Sequence, residues 1–171
     1  MTNHGPRIHF TISSHGYGHL TQSSALIREL TKQIPDLVFR IQCNLPRKII
    51  SERIGTDAYE HEQCSMDIGL IQKDPMTPDL KASYQAYNTL HENYIERMSN
   101  QAKAFKNWQA DLVISDIPYL PIAAASQAGI KSIALASLTW DNIISRYFDL
   151  DSRAPAKWYA DARASYAEAE L

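Results

Sequence analysis

The chain has 171 residues, 44% of them hydrophobic and 21% charged, enough for one domain with a packed core and unlike a disordered segment. A net charge of −2 without a large basic block argues against nucleic acid or an anionic membrane surface as partner. No apolar run reaches the roughly 18–20 residues that cross a bilayer, and the opening MTNHGPRIHF lacks the apolar run of a signal peptide. Cys43 and Cys64 stand apart without CxxC spacing, which reads as reduced thiols in a cytoplasmic protein.

In chain order, Ile8, Phe10 and Ile12 alternate as in a strand. Gly16 and Gly18 then allow a tight turn, and a helix is expected over residues 20–33 with Leu26, Ile27, Leu30 and Ile34 on its apolar face. Residues 37–42 read as the second strand. Pro46 opens a short helix over 46–54 that Gly55 closes. Residues 58–63 are expected to form a third strand, and 64–78 a loop. Over 80–108 aromatic and aliphatic residues recur at near-helical spacing, from Leu80 and Tyr84 to Phe105 and Trp108, as one helix or two lining the core. DLVIS at 111–115 is a short apolar strand closed by Asp116, with a helix over 118–127 ending at Gly129 and a strand over 131–136. Residues 154–171 are helix-prone and carry no stop signal, so the segment 151–171 is expected to lead on into a further domain.

Strands alternating with helices predict an α/β fold, a Rossmann-like parallel sheet with helices on both faces. In such sheets ligands bind at the carboxyl ends of the strands, where the loops after residues 12, 115 and 136 would converge. His19, just before a helix whose first N–H groups face the loop, is a candidate general base; the plainer reading is a loop histidine bonded to the backbone. Asp116, at a strand end, can hold an imidazole in one tautomer, or simply cap the next helix. His15 and His19 are four apart, but two glycines intervene and no Cys/His pair completes a tetrahedral set, so no metal site is expected. GYGHLT puts Thr21 where the dinucleotide fingerprint needs its third glycine, and neither a phosphate-binding GxxxxGK[ST] nor a GxSxG elbow is present. Trp140 offers a flat apolar surface, with Asp141 as a hydrogen-bonding group, a mix suited to a sugar. Alternatively, Thr139 or Asp141 caps a helix and Trp140 packs inward.

SSHGYGHLTQSSAL, followed by DLVISDIPYLPIAAASQAGIKSIALASLTWDNI, resembles the N-terminal domain of GT-B fold glycosyltransferases that use nucleotide sugars. It is similar to the glycosyltransferase-like N-terminal region of plant arabinokinases and related bacterial proteins, which carry a GHGxGH loop and an SD…AGI…SWDxIY run. The likeness covers most of residues 7–147 and implies the N-terminal, acceptor-side half of a GT-B fold over residues 7–150. It implies an inverting, metal-independent transfer in which His19 deprotonates the acceptor hydroxyl and Asp116 supports it. The acceptor would lie over His15, Gly16, Tyr17 and Gly18 and beside Thr139, Trp140 and Asp141. The expected partners are a nucleotide sugar, a UDP-sugar, as co-substrate and an acceptor the residues do not name, with no resident cofactor. Because the arabinokinase region precedes a sugar kinase, a non-catalytic sugar-binding or regulatory module is the alternative. An epimerase or hydrolase on the same fold is a third reading.

Overall fold

The computed structural model describes residues 5–170. Its elements begin with β1 (Arg7–Ile12), α1 (Tyr17–Gln33), β2 (Val38–Gln42), α2 (Arg47–Ile54) and β3 (Glu60–Glu62). A small antiparallel hairpin, β4 (Gln72–Asp74) and β5 (Thr77–Pro78), leads into α3 (Leu80–Glu92) and α4 (Tyr94–Trp108). β6 (Leu112–Asp116), α5 (Leu120–Ala128), β7 (Lys131–Ala134), α6 (Trp140–Tyr147) and α7 (Arg153–Ala167) follow. The main sheet runs β3-β2-β1-β6-β7 with every neighbouring pair parallel. Among the described residues no helix is long and apolar enough to cross a membrane.

The alternation of β1 decides which helices cover which face. Ile8, Phe10 and Ile12 pack with Leu20 and Ile27 of α1 and with Ile50 and Ile54 of α2. The opposite face of β1 carries His9, Thr11 and Ser13, which are buried too. There the His9 ring meets the edge of Phe105 in α4, with centroids 4.7 Å apart. Thr11 Oγ1 donates to Gln42 Oε1 at 3.2 Å, and Gln42 Nε2 donates to Gln101 Oε1 of α4 at 3.2 Å. Burial of both faces is what a parallel sheet requires. A second core gathers Tyr87 of α3, Trp140 and Ile144 of α6, and Trp158 and Ala162 of α7. A third joins Ala102 and Phe105 of α4 to Val113 of β6 and Ala124 and Ala125 of α5.

Most expected elements are present, with shifted ends. α1 begins at Tyr17 instead of residue 20, because Gly16, with φ of 90°, makes the whole turn and Gly18 already lies inside the helix. The third strand is three residues long and parallel to β2. The long helical run breaks at Asn93 into α3 and α4. The expected loop over 64–78 contains the β4–β5 hairpin. α5 starts at Leu120, two residues later than expected, and β7 stops at Ala134 instead of residue 136. The helix-prone C-terminal run is α7, whose Trp158 is fully buried against Tyr87 of α3. Leu171, included in that expectation, and residues 1–4 of the opening read for a signal peptide lie outside the described residues.

Candidate active site

The strand order reverses between β1 and β6, with β2 on one side and β7 on the other. A crevice therefore opens at the carboxyl ends of these two strands. Ile12 and Asp116, their last residues, are paired in register, and Ser13 N donates to Asp116 O at 2.6 Å. The chain then turns at Gly16 into α1, so His19 sits in the first turn of the helix above the end of β6.

His19 Nδ1 lies 2.7 Å from Asp116 Oδ1, and Ser23 Oγ donates to the other carboxylate oxygen, Oδ2, at 2.7 Å. His19 and Ser23 are four apart on α1 and so share one face. Asp116 is 1% exposed, whereas the His19 side chain is 25% exposed. A carboxylate only accepts, so Nδ1 is the donor and the neutral ring keeps its lone pair on Nε2. The hydrogen bond to Asp116 raises the His19 imidazolium above its ordinary pKa, against the opposing effect of burial. This pair can hold one tautomer and stabilise the cation formed when Nε2 takes a proton.

His19 and Asp116 open onto a cleft of about 230 Å³, with His15, Gln22, Leu70 and Trp140 among its walls. His15 is exposed, and its ring meets Trp140 edge-on at 5.9 Å. It is also seated on Gly69, where a Cβ would come within 2.6 Å of His15 Nδ1. Gly69 has φ of 68°, so both its backbone and its neighbour require glycine there. Trp140 is 5% exposed and donates its indole N–H to Asp67 Oδ2 at 3.0 Å.

The structure thus gathers His15, His19, Asp116 and Trp140 around one cleft. Gly16, Tyr17, Gly18, Thr139 and Asp141 are not among its walls. Gly16 and Gly18 face open space, and Tyr17 turns to a groove with Arg28 and Arg53. Thr139 is the N-cap residue of α6 and accepts from Asn142 Nδ2 at 2.6 Å, while Asp141 lies half-buried in the first turn of that helix. Sequence reasoning missed Ser23, Asp67, Gln22 and Leu70. Ser23 was detectable, one turn beyond His19; Asp67 sits in an aperiodic stretch and meets its partner only through the fold. Among the described residues no group of three or more His, Cys, Asp or Glu side chains is arranged to hold a metal ion.

This architecture, a five-stranded parallel sheet with its crevice at the β1–β6 reversal, is that of the N-terminal half of a GT-B fold. Over the whole chain it aligns with a putative UDP-N-acetylglucosamine 2-epimerase from Listeria monocytogenes, at a TM-score of 0.56 and 10% identity, covering 39% of that chain. It also aligns with Phytolacca americana UGT2, solved with UDP-2fluoro-glucose and pterostilbene, at a TM-score of 0.56 and 12% identity, covering 99% of this chain and 47% of that one. In sequence, the chain is similar to L-arabinokinase of Arabidopsis thaliana, 26% identical over 139 residues, or 81% of this chain. It spans only 13% of that relative's length. No protein-family model matches the chain.

Proposed function

We propose that this chain is the acceptor-binding domain of an inverting, metal-independent glycosyltransferase that moves a sugar from a nucleotide sugar, a UDP-sugar, to an acceptor hydroxyl. The observation that carries this reading is the His19–Asp116 contact of 2.7 Å at the strand reversal, with the carboxylate buried and the imidazole facing a cleft. His19 Nε2 takes the proton of the acceptor hydroxyl. The acceptor oxygen attacks the anomeric carbon opposite the leaving nucleoside diphosphate, and the bond to the diphosphate oxygen breaks with inversion. Asp116 keeps Nδ1 protonated and stabilises the imidazolium. His15 and Trp140 contact the acceptor in the cleft; Gly16, Tyr17, Gly18, Thr139 and Asp141 contribute at its approaches. The donor is held mainly by a second domain.

A panel of UDP-, GDP- and dTDP-sugars mixed with the full-length protein tests this, with nucleotide release as the readout. Release specific to one donor, falling about 10²–10⁴-fold in His19→Ala, is the expected result. Release that persists in the variant would place the chemistry elsewhere. The similarity to an arabinokinase favours a second reading, a non-catalytic sugar-binding or regulatory module. Saturable sugar binding with no release, unaffected by His19→Ala, would establish that reading instead.

A further inference from the structure

Among the described residues, Asp67 is the one buried carboxylate beside the cleft that the reaction above does not use. It is 8% exposed, and its Oδ2 accepts the indole N–H of Trp140, which lies 73 residues further on. The turn containing it is tied down on both sides. Ser65 Oγ donates to Asp67 O at 2.9 Å, and Ile71 N donates to Ser83 Oγ of α3 at 2.9 Å. Within this turn, Gly69 supplies the bare backbone on which the His15 ring sits, and Leu70, 6% exposed, forms a wall of the cleft. Trp140 meets the same His15 ring edge-on, with centroids 5.9 Å apart. His15 thus touches both Gly69 and Trp140, and Asp67 joins the two through its own place in the 67–70 turn and its bond to the Trp140 indole.

We propose that Asp67 is a positioning residue, whose bond to Trp140 locks the 67–70 turn against α6 and so fixes the His15 ring toward the acceptor. The proposal rests on reading the cleft as the acceptor site. The clasp needs an acceptor atom at this position, because without one the buried indole N–H loses its partner. Burial pushes the Asp67 carboxyl above the usual range, against hydrogen bonds from Ser13 and Trp140. Asparagine keeps a side-chain oxygen for the indole and avoids burying a charge, so it is the conservative variant.

The test compares Asp67→Ala, Asp67→Asn and Trp140→Phe in the full-length protein. The ring resonances of His15 and His19 and the indole N–H resonance of Trp140 are followed without any ligand. Asp67→Ala should shift the Trp140 and His15 signals together while the His19–Asp116 hydrogen bond persists, and Asp67→Asn should restore both. Trp140→Phe keeps an aromatic ring beside His15 and removes the donor together with the rest of the pyrrole ring. It should speed amide exchange over residues 67–70, so the clasp can be judged even if Asp67→Ala does not fold. In nucleotide release from the UDP-sugar that the panel selects, Asp67→Ala should raise the acceptor KM about 10- to 100-fold with kcat little changed. Asp67→Asn should recover most of that loss. If no UDP-sugar is turned over, the transfer reading fails while the resonances still decide the clasp. A His15 signal indifferent to Asp67→Ala, unchanged exchange over 67–70 in Trp140→Phe, or no rescue by asparagine would overturn the proposal.

Discussion

The Nδ1 of His19 is committed to Asp116, and that fixes which edge of the ring faces a substrate. The same bond sets the pH at which the base is free. Since it raises the imidazolium pKa, the acid limb of kcat/KM should lie above the ordinary histidine value of about 6.5. Asp116→Asn removes the charge but keeps an oxygen for Nδ1. It should move that limb to lower pH while lowering the plateau rate, measured as nucleotide release from pH 5 to 9. An unmoved limb would remove Asp116 from the proton chemistry. Ser23 supports the pair from one turn along α1, and its hydroxyl donates to the buried Oδ2. Ser23→Ala leaves that oxygen without its donor and should lower stability by about 1–3 kcal/mol in urea denaturation. His19 and Asp116 were legible in the sequence because a glycine turn and a strand end mark them. Asp67 was not, because no periodicity points to it and its partner is brought close only by the packing of α6.

At the scale of elements, the sequence signalled the long apolar pieces well and the short polar ones poorly. β1, β6 and α5 follow from runs of buried residues, with Asp116 ending β6 and Gly129 capping α5. β4 and β5 are three and two residues long, mostly exposed, and have no apolar pattern to reveal them. The early start of α1 was hidden because Gly18 reads as turn while the helix tolerates it in its first turn. Trp158 is the largest fully buried side chain of α7 and packs against α3. Trp158 is 1% exposed, stacks on Tyr87 at 5.3 Å and meets Phe148 edge-on at 5.6 Å. Trp158→Ala should therefore cost about 3–5 kcal/mol and loosen α7 from α3, read as faster amide exchange along α7. Lys157, one residue earlier, pairs with Asp161 at 2.6 Å but is half exposed. Lys157→Ala should cost at most about 1 kcal/mol, since solvent screens the pair. Equal costs for the two variants would mean that charge, not aromatic burial, docks this helix.

Across the whole molecule, burying both faces of the sheet has placed a histidine where burial disfavours its charged form. His9 is 1% exposed, and among the described residues neither ring nitrogen has a hydrogen-bond partner. Burial, outweighing the upward pull of Gln42, brings its pKa down to about 3. In the unfolded chain the same ring titrates near 6.5. Between those values the unfolded state binds a proton that the folded state does not, so stability falls as pH drops from 6.5 toward 3. The full slope is about 1.4 kcal/mol per pH unit. His19 has the opposite sign, because its folded pKa is raised. Its contribution is fully present below 6.5 and is lost as pH rises through its folded value, so it leaves the acid window nearly untouched. Asp67, raised by burial, works against the slope at its lower end, since the folded state gains from protonating it. His9→Phe keeps an aromatic ring beside Phe105 and removes the titration. Unfolding free energies from urea curves at pH 6.5, 5.5 and 4.5 should therefore fall more steeply in the native protein than in the variant, by about 1 kcal/mol over the first unit and about 1.3 kcal/mol over the second. Asp67 and the other acids are common to both proteins and cancel in the difference. Parallel curves would mean that His9 takes up its proton in the fold as readily as in the unfolded chain.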